Sequence, residues 1–161
     1  EAFRCLLDTY RLNVKLVVAG GRGWLFQDVF ETVQKRNLED HVLFLGRVPS
    51  EELLWLYNAA SVMVHPALYE GFGLPVLEAM ACGSPVCASS ASSLPEVGGE
   101  AALYFDPLRP EEMSETLRRV LHDPALAQTM RQQGLARAAR YSWEETARQT
   151  LALYERVISG V

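Results

Sequence analysis

An excess of positive charge is missing from this chain: 15 Lys and Arg stand against 20 Asp and Glu, a formal net charge of −5. The basic residues are spread over several segments, so nucleic acid is not an expected partner. No apolar run approaches the roughly 18 residues of a membrane span, and no basic start followed by an apolar stretch marks a secretory signal. A soluble, cytoplasmic protein is the expectation. Cysteine is scarce as well. Cys5, Cys82 and Cys87 cannot all pair, and the Cys-x4-Cys spacing without a nearby His matches no common zinc arrangement, so they read as free thiols in a reducing compartment. Internal repeats and low-complexity linkers are also missing. Glu1 is not an initiator and Ala2 already lies in a helical pattern, which points to a chain that begins inside a larger protein.

What is present fits one folded domain: 161 residues, 49% apolar and 22% charged. Short β-branched, apolar runs alternate with helical patterns, the signature of an α/β domain whose parallel sheet carries helices on both faces. Strands are expected over residues 14–19, 42–45, 61–65, 85–88 and 101–105, all five buried. Helices are expected over residues 2–12, 25–36 and 50–60, the last capped by Ser50 with Glu51 and Glu52 in its first turn. Residues 110–158 form a helical C-terminal segment. Asp123-Pro124 interrupts it, the second helix runs to Arg140, and Ser142 with Glu145 makes a capping box for a last helix bearing Trp143, Leu151, Tyr154 and Ile158 on one face.

Chemistry concentrates in residues 65–86, where a strand ends and a helix starts. Ligands of open parallel sheets sit outside the carboxyl ends of the strands. Gly71 and Gly73 let backbone N–H groups approach a ligand, and the helix opened by Pro75 and closed at Gly83 adds its positive N-terminal end. That suits an anion such as a diphosphate. Glu70 on the loop and Glu78 one turn into the helix supply acceptors for sugar hydroxyls. A Gly-rich turn before a helix and a solvated Glu are also ordinary structural features, so the pattern alone admits both readings.

The run from Glu70 to Glu78 resembles the E-x7-E signature of the retaining family 4 glycosyltransferases, whose GT-B fold faces two Rossmann-like domains. Leu16-Val17-Val18-Ala19-Gly20-Gly21, Val42-Leu43-Phe44-Leu45-Gly46-Arg47-Val48-Pro49, Pro85-Val86-Cys87-Ala88-Ser89 and Ser93-Leu94-Pro95-Glu96-Val97 fall in the order of that family's C-terminal domain, and the likeness spans nearly the whole chain. Gly20-Gly21-Arg22-Gly23-Trp24 resembles the bacterial mannosyl- and glucosyltransferases of polysaccharide synthesis. The resemblance implies a GDP- or UDP-linked sugar as donor. Glu70 would be the catalytic-site carboxylate on the donor sugar's hydroxyls, and Gly71, Phe72, Gly73 and Leu74 would present backbone to sugar and diphosphate. Glu78 would hold the ribose hydroxyls, Gly46, Arg47 and Val48 the nucleobase, and Gly20 and Gly21 the diphosphate, with Arg22 either on a phosphate or facing solvent. No Asp-x-Asp triplet occurs, in keeping with a GT-B enzyme that needs neither a metal nor a separate cofactor.

The same resemblance implies that a glycan or lipid-linked acceptor binds a missing N-terminal domain, and that the full-length enzyme associates peripherally with membranes. The apolar stripe on the last helix would be an orphaned interface through which the fragment self-associates. The family's first strand, with an Arg and a Lys after it, has no counterpart here. It would sit near the middle of the sheet in the order 3-2-1-4-5-6. Either an N-terminal part is absent, or the strands from Val14 and Ser61 pair directly, or another chain fills the slot, the first being preferred. Trp143 and Tyr154 are expected to pack, His41 and His122 to lie on the surface, Asp106 to form a turn, and Ser89 to Ser93 either to brush the ligand edge or to form a turn. His65 would meet the sugar or diphosphate, or be satisfied by backbone. A stand-alone nucleotide-sugar module, half of a split transferase and a GT-B epimerase remain alternatives. Against a pyridoxal-dependent phosphorylase weighs that Lys15 and Lys35 are the only lysines and neither lies near the motif.

Overall fold

The fold, described here from a computed structural model for residues 1–21 and 26–160, is α/β, as the alternation of runs predicts. In chain order it runs α1 (Ala2–Tyr10), β1 (Leu16–Ala19), α2 (Phe26–Lys35), β2 (Val42–Gly46), α3 (Ser50–Ala59), β3 (Met63–His65), α4 (Leu74–Ala81), β4 (Val86–Ser89), α5 (Leu94–Gly98), β5 (Ala102–Phe105), α6 (Pro110–His122), α7 (Pro124–Ala138) and α8 (Trp143–Ser159). All strand pairings are parallel, so the carboxyl ends within each sheet share one edge.

The strands do not form one sheet. β1 pairs with β2, and β3, β4 and β5 form a second sheet in that order. Direct pairing of the strands from Val14 and Ser61 is thereby excluded. Where that pairing would lie there is a cavity of about 810 Å³, lined from one side by Val14, Leu16 and Val17 and from the other by Val62, Met63 and Val64.

The three-stranded sheet is the core. Successive side chains of a strand point to opposite faces, and β4 shows the consequence: Val86 and Ala88 join a cluster with Val76, Met80 and Leu94, whereas Cys87 joins Leu6, Phe105, Leu117, Val120 and Met130. All four residues of β4 are buried, as expected for a strand covered on both faces. Burying one such Val or Leu side chain is worth about 1.5–3 kcal/mol.

The expectation that all five strands are buried fails for the other sheet and holds only by half for β3, whose three residues are all half-buried. Val17, Leu43 and Leu45, on the face of the sheet opposite Phe44, are 44%, 53% and 39% exposed, while Phe44 meets Phe30 of α2 at 4.4 Å between ring centroids. Further differences are local. Pro49, not Ser50, occupies the N-cap of α3, while Glu51 and Glu52 lie in its first turn as expected. α1 ends at Tyr10 and α7 at Ala138, each two residues short of its expected end. Asp123 caps α7 by accepting from the Ala125 and Leu126 amides at 3.0 and 2.9 Å. Ser142 accepts from the Glu145 amide at 3.1 Å, but the Glu145 carboxylate turns to Arg148 and Gln149, so only half of the capping box forms. α8 buries no residue, and Trp143 and Tyr154, expected to pack, are 77% and 60% exposed.

Candidate functional site

The turn between β3 and α4 lies at the carboxyl edge of the three-stranded sheet. Gly73 has φ 106° and caps α4, a conformation that L side chains rarely adopt. A Cβ there would stand 2.8 Å from Leu94 Cδ2, so the loop and α5 approach too closely for any other residue without a shift. Pro75 lies in the first turn of α4, where its missing N–H costs no hydrogen bond. Gly83, at φ 72°, follows the helix end, and its amide donates to the Met80 carbonyl at 2.9 Å. The sequence punctuation of this helix is therefore matched at both ends.

Glu70 is fixed from three sides. Its Oε2 lies 3.1 Å from His65 Nε2, and its Oε1 accepts from the Gly71 amide at 3.2 Å. An ionised carboxylate only accepts, so the pair selects a protonated Nε2 on His65. The Glu70 carbonyl accepts from Ser92 Oγ at 2.7 Å and from Ser93 Oγ at 2.9 Å, and Ser93 Oγ also reaches the Phe72 carbonyl at 2.9 Å. Phe72 packs edge-on against Tyr141, with centroids 6.1 Å apart and planes at 76°. Arg137 stacks on the same Tyr141 and donates Nε to the Val97 carbonyl at 2.9 Å. The loop is thus braced from α5 and from the end of α7.

Glu78 is exposed on α4 and accepts from the Tyr57 hydroxyl of α3 at 3.1 Å. Burial, and then the neighbouring Glu78 charge, push the Tyr57 hydroxyl well above its ordinary value, so it stays a donor. On the other sheet, the Gly20 amide donates to the Gly46 carbonyl at 2.8 Å, which joins the turns that follow β1 and β2. Gly20 and Gly46 both have positive φ, 147° and 68°.

The structure brings part of the expected set together. Gly20, Arg47 and Val48 from one sheet and His65 and Glu78 from the other line the same 810 Å³ cavity. Glu70, Gly71, Phe72 and Gly73 form the adjoining loop and Leu74 opens α4, while Gly21 and Gly46 are not in the cavity lining. Arg22, Gly23 and Trp24 fall outside the described residues. His65 is partnered by the Glu70 carboxylate rather than by backbone. Asp106 forms a turn, accepting from the Leu108 amide at 2.9 Å. His122 is exposed, as expected, whereas His41 is half-buried. Tyr57 is the residue that sequence reasoning missed, since it meets the motif from 21 positions away; Ser92 and Ser93, expected as turn residues, hold the loop backbone from 21–23 positions away. All three cysteines are free thiols, and burial pushes the Cys87 thiol up to about 12. Among the described residues, no group of three His, Cys, Asp or Glu could hold a metal ion, and no helix is long and apolar enough to cross a membrane.

Fold and site together define a Rossmann-like α/β domain with a braced glycine loop and two carboxylates at the carboxyl edge of its parallel strands. Within that class the chain belongs to the family described as Glycosyl transferases group 1, which matches residues 1–137. It is 39% identical over 155 residues to O-antigen chain mannosyltransferase B of Escherichia coli, a match that spans 96% of this chain and 41% of that protein. The fold superposes on sucrose-phosphate synthase from Thermosynechococcus elongatus with a TM-score of 0.86 at 32% identity, covering 99% of this chain and 43% of the other. It also superposes on the C-terminal domain of a glycosyl transferase group 1 family protein from Francisella tularensis, with a TM-score of 0.72 at 27% identity, over 86% of this chain and 74% of that one. The chain thus spans about two fifths of the length of the E. coli relative.

Proposed function

We propose that this chain is the nucleotide-sugar-binding domain of a longer retaining glycosyltransferase of family 4 type, which transfers a mannosyl or glucosyl group from a GDP- or UDP-linked donor to a glycan or lipid-linked acceptor. One observation carries the reading: the segment 70–78 presents two carboxylates, each oriented by a hydrogen bond from another element, on either side of a helix N-terminus at the carboxyl edge of the sheet. In this reading Glu70, held by His65, accepts from donor-sugar hydroxyls. The amides of Gly71, Phe72, Gly73 and Leu74 and the start of α4 face the diphosphate. Glu78 accepts from the ribose hydroxyls, the turn Gly46-Arg47-Val48 lies against the base, and Gly20 and Gly21 meet the diphosphate from the other sheet. The backbone and helix dipole carry the leaving diphosphate's charge, so no divalent metal is required.

The mannosyl preference is supported by the name of the E. coli relative, and the glucosyl alternative by that of the sucrose-phosphate synthase. The acceptor belongs to a second domain that faces this edge. A strand supplied by the chain preceding Glu1 would fill the slot between β1 and β3, and the charged residues following it would add to the diphosphate site.

The test is transfer by the full-length protein from GDP-mannose and UDP-glucose, with the anomeric configuration of the product read by NMR. Retained configuration, abolished in Glu70→Gln, is the expected result. Inversion of the anomeric centre would remove the retaining assignment, and tight donor binding without transfer to any acceptor would favour a nucleotide-sugar module instead.

A further inference from the structure

Glu78 is an exposed carboxylate with several rotatable bonds, and a group that must be immobilised on binding weakens the complex by the freedom it loses. The structure holds it from α3. Tyr57 lies half-buried against the cluster formed by Val76 and Met80, so its ring is fixed by packing. Its hydroxyl reaches Glu78 Oε2 at 3.1 Å, and both residues line the 810 Å³ cavity with Arg47 and Val48. Tyr57 is the one side chain among the described residues that hydrogen-bonds the Glu78 carboxylate. The other carboxylate oxygen, Oε1, is left for a ligand. α3 starts directly after the Arg47-Val48 turn, so a single helix connects the base-facing turn to the group that orients Glu78.

We infer that Tyr57 is a positioning residue for ribose recognition: its hydroxyl engages one oxygen of Glu78 and aims the other at the vicinal hydroxyls of a ribonucleotide. The inference rests on the reading in which Glu78 takes the ribose. It requires that the Tyr57 hydroxyl contribute to ribose binding and nothing to the binding of a sugar without those hydroxyls.

Calorimetry of the full-length protein with GDP and UDP, and with their 2′,3′-dideoxy counterparts, tests it. Tyr57→Phe keeps the packed ring and removes only the hydroxyl. The expected result is about 5–10-fold weaker binding of the ribonucleotide, unchanged binding of the dideoxynucleotide, and no further loss when Tyr57→Phe is added to Glu78→Gln. Equal weakening of both nucleotides would show a structural role and overturn the inference. So would an inert Tyr57→Phe beside a Glu78→Gln variant that weakens the ribonucleotide alone, a result that leaves the ribose reading intact. An inert Glu78→Gln would remove that reading and the inference with it.

Discussion

Gly73 concentrates the constraints on the loop in a single residue. Its φ of 106° and the 2.8 Å approach to Leu94, which is fully buried, leave no room for a side chain. Gly73→Ala is expected to cost about 1–3 kcal/mol and to lower the melting temperature by about 3–10 °C, with donor binding reduced further because the amides of the loop move. A variant that melts with the parent would show that the loop is not strained. Glu115 offers a test of a different kind. Its hydrogen bond to Arg118, and then that to Tyr10 of α1, hold its carboxyl down at about 2 against an ordinary 4.5. A depressed value means that the stabilisation is present above pH 4.5 and is lost as pH falls toward 2. Tyr10→Phe is therefore expected to flatten the loss of melting temperature across that window, and an unchanged pH profile would contradict the role given to the α1–α6 contact.

At the scale of elements, the helix that carries Glu78 was the most legible part of the sequence. Pro75 and Gly83 impose backbone conformations that sequence shows directly, and the ends of α4 follow from them. What holds the carboxylates was illegible for an equally physical reason: Tyr57, Ser92 and Ser93 reach the motif across the fold, and a hydroxyl 21–23 positions away leaves no periodic trace. The burial of β1 and β2 was misread because an apolar strand has the same sequence whether one face is covered or two. α8 misleads in the same way, since a stripe of Trp143, Leu151, Tyr154 and Ile158 resembles a core-facing helix and here faces outward. With no buried residue, α8 contributes little to the rest of the fold. A chain ending after Tyr141 is expected to melt within about 2 °C of the parent, because local elements open independently of the core when few contacts tie them down. A much larger drop would mean that α8 is packed in solution.

At the scale of the whole molecule, the two sheets present their neighbouring edges, β1 and β3, to a cavity of about 810 Å³ lined by Val14, Leu16, Val17, Val62, Met63 and Val64. An unpaired apolar edge is a liability that folded proteins cover. Extending the chain on its N-terminal side in the full-length protein is expected to raise the melting temperature and to slow amide exchange in β1 and β3; equal exchange in both forms would show that no preceding segment covers these edges. Covering that gap also completes the wall on which Gly20, Arg47, Val48, His65 and Glu78 converge, so stability and donor binding should rise together. If residues 70–78 clamp a nucleotide sugar, titration calorimetry of the full-length protein with GDP- and UDP-sugars detects it. Saturable binding of one of them, weakened at least about 10-fold by Glu78→Ala and by Glu70→Ala, is the result predicted. Binding that neither substitution changes, or no binding of any nucleotide sugar by the wild-type protein, would contradict it.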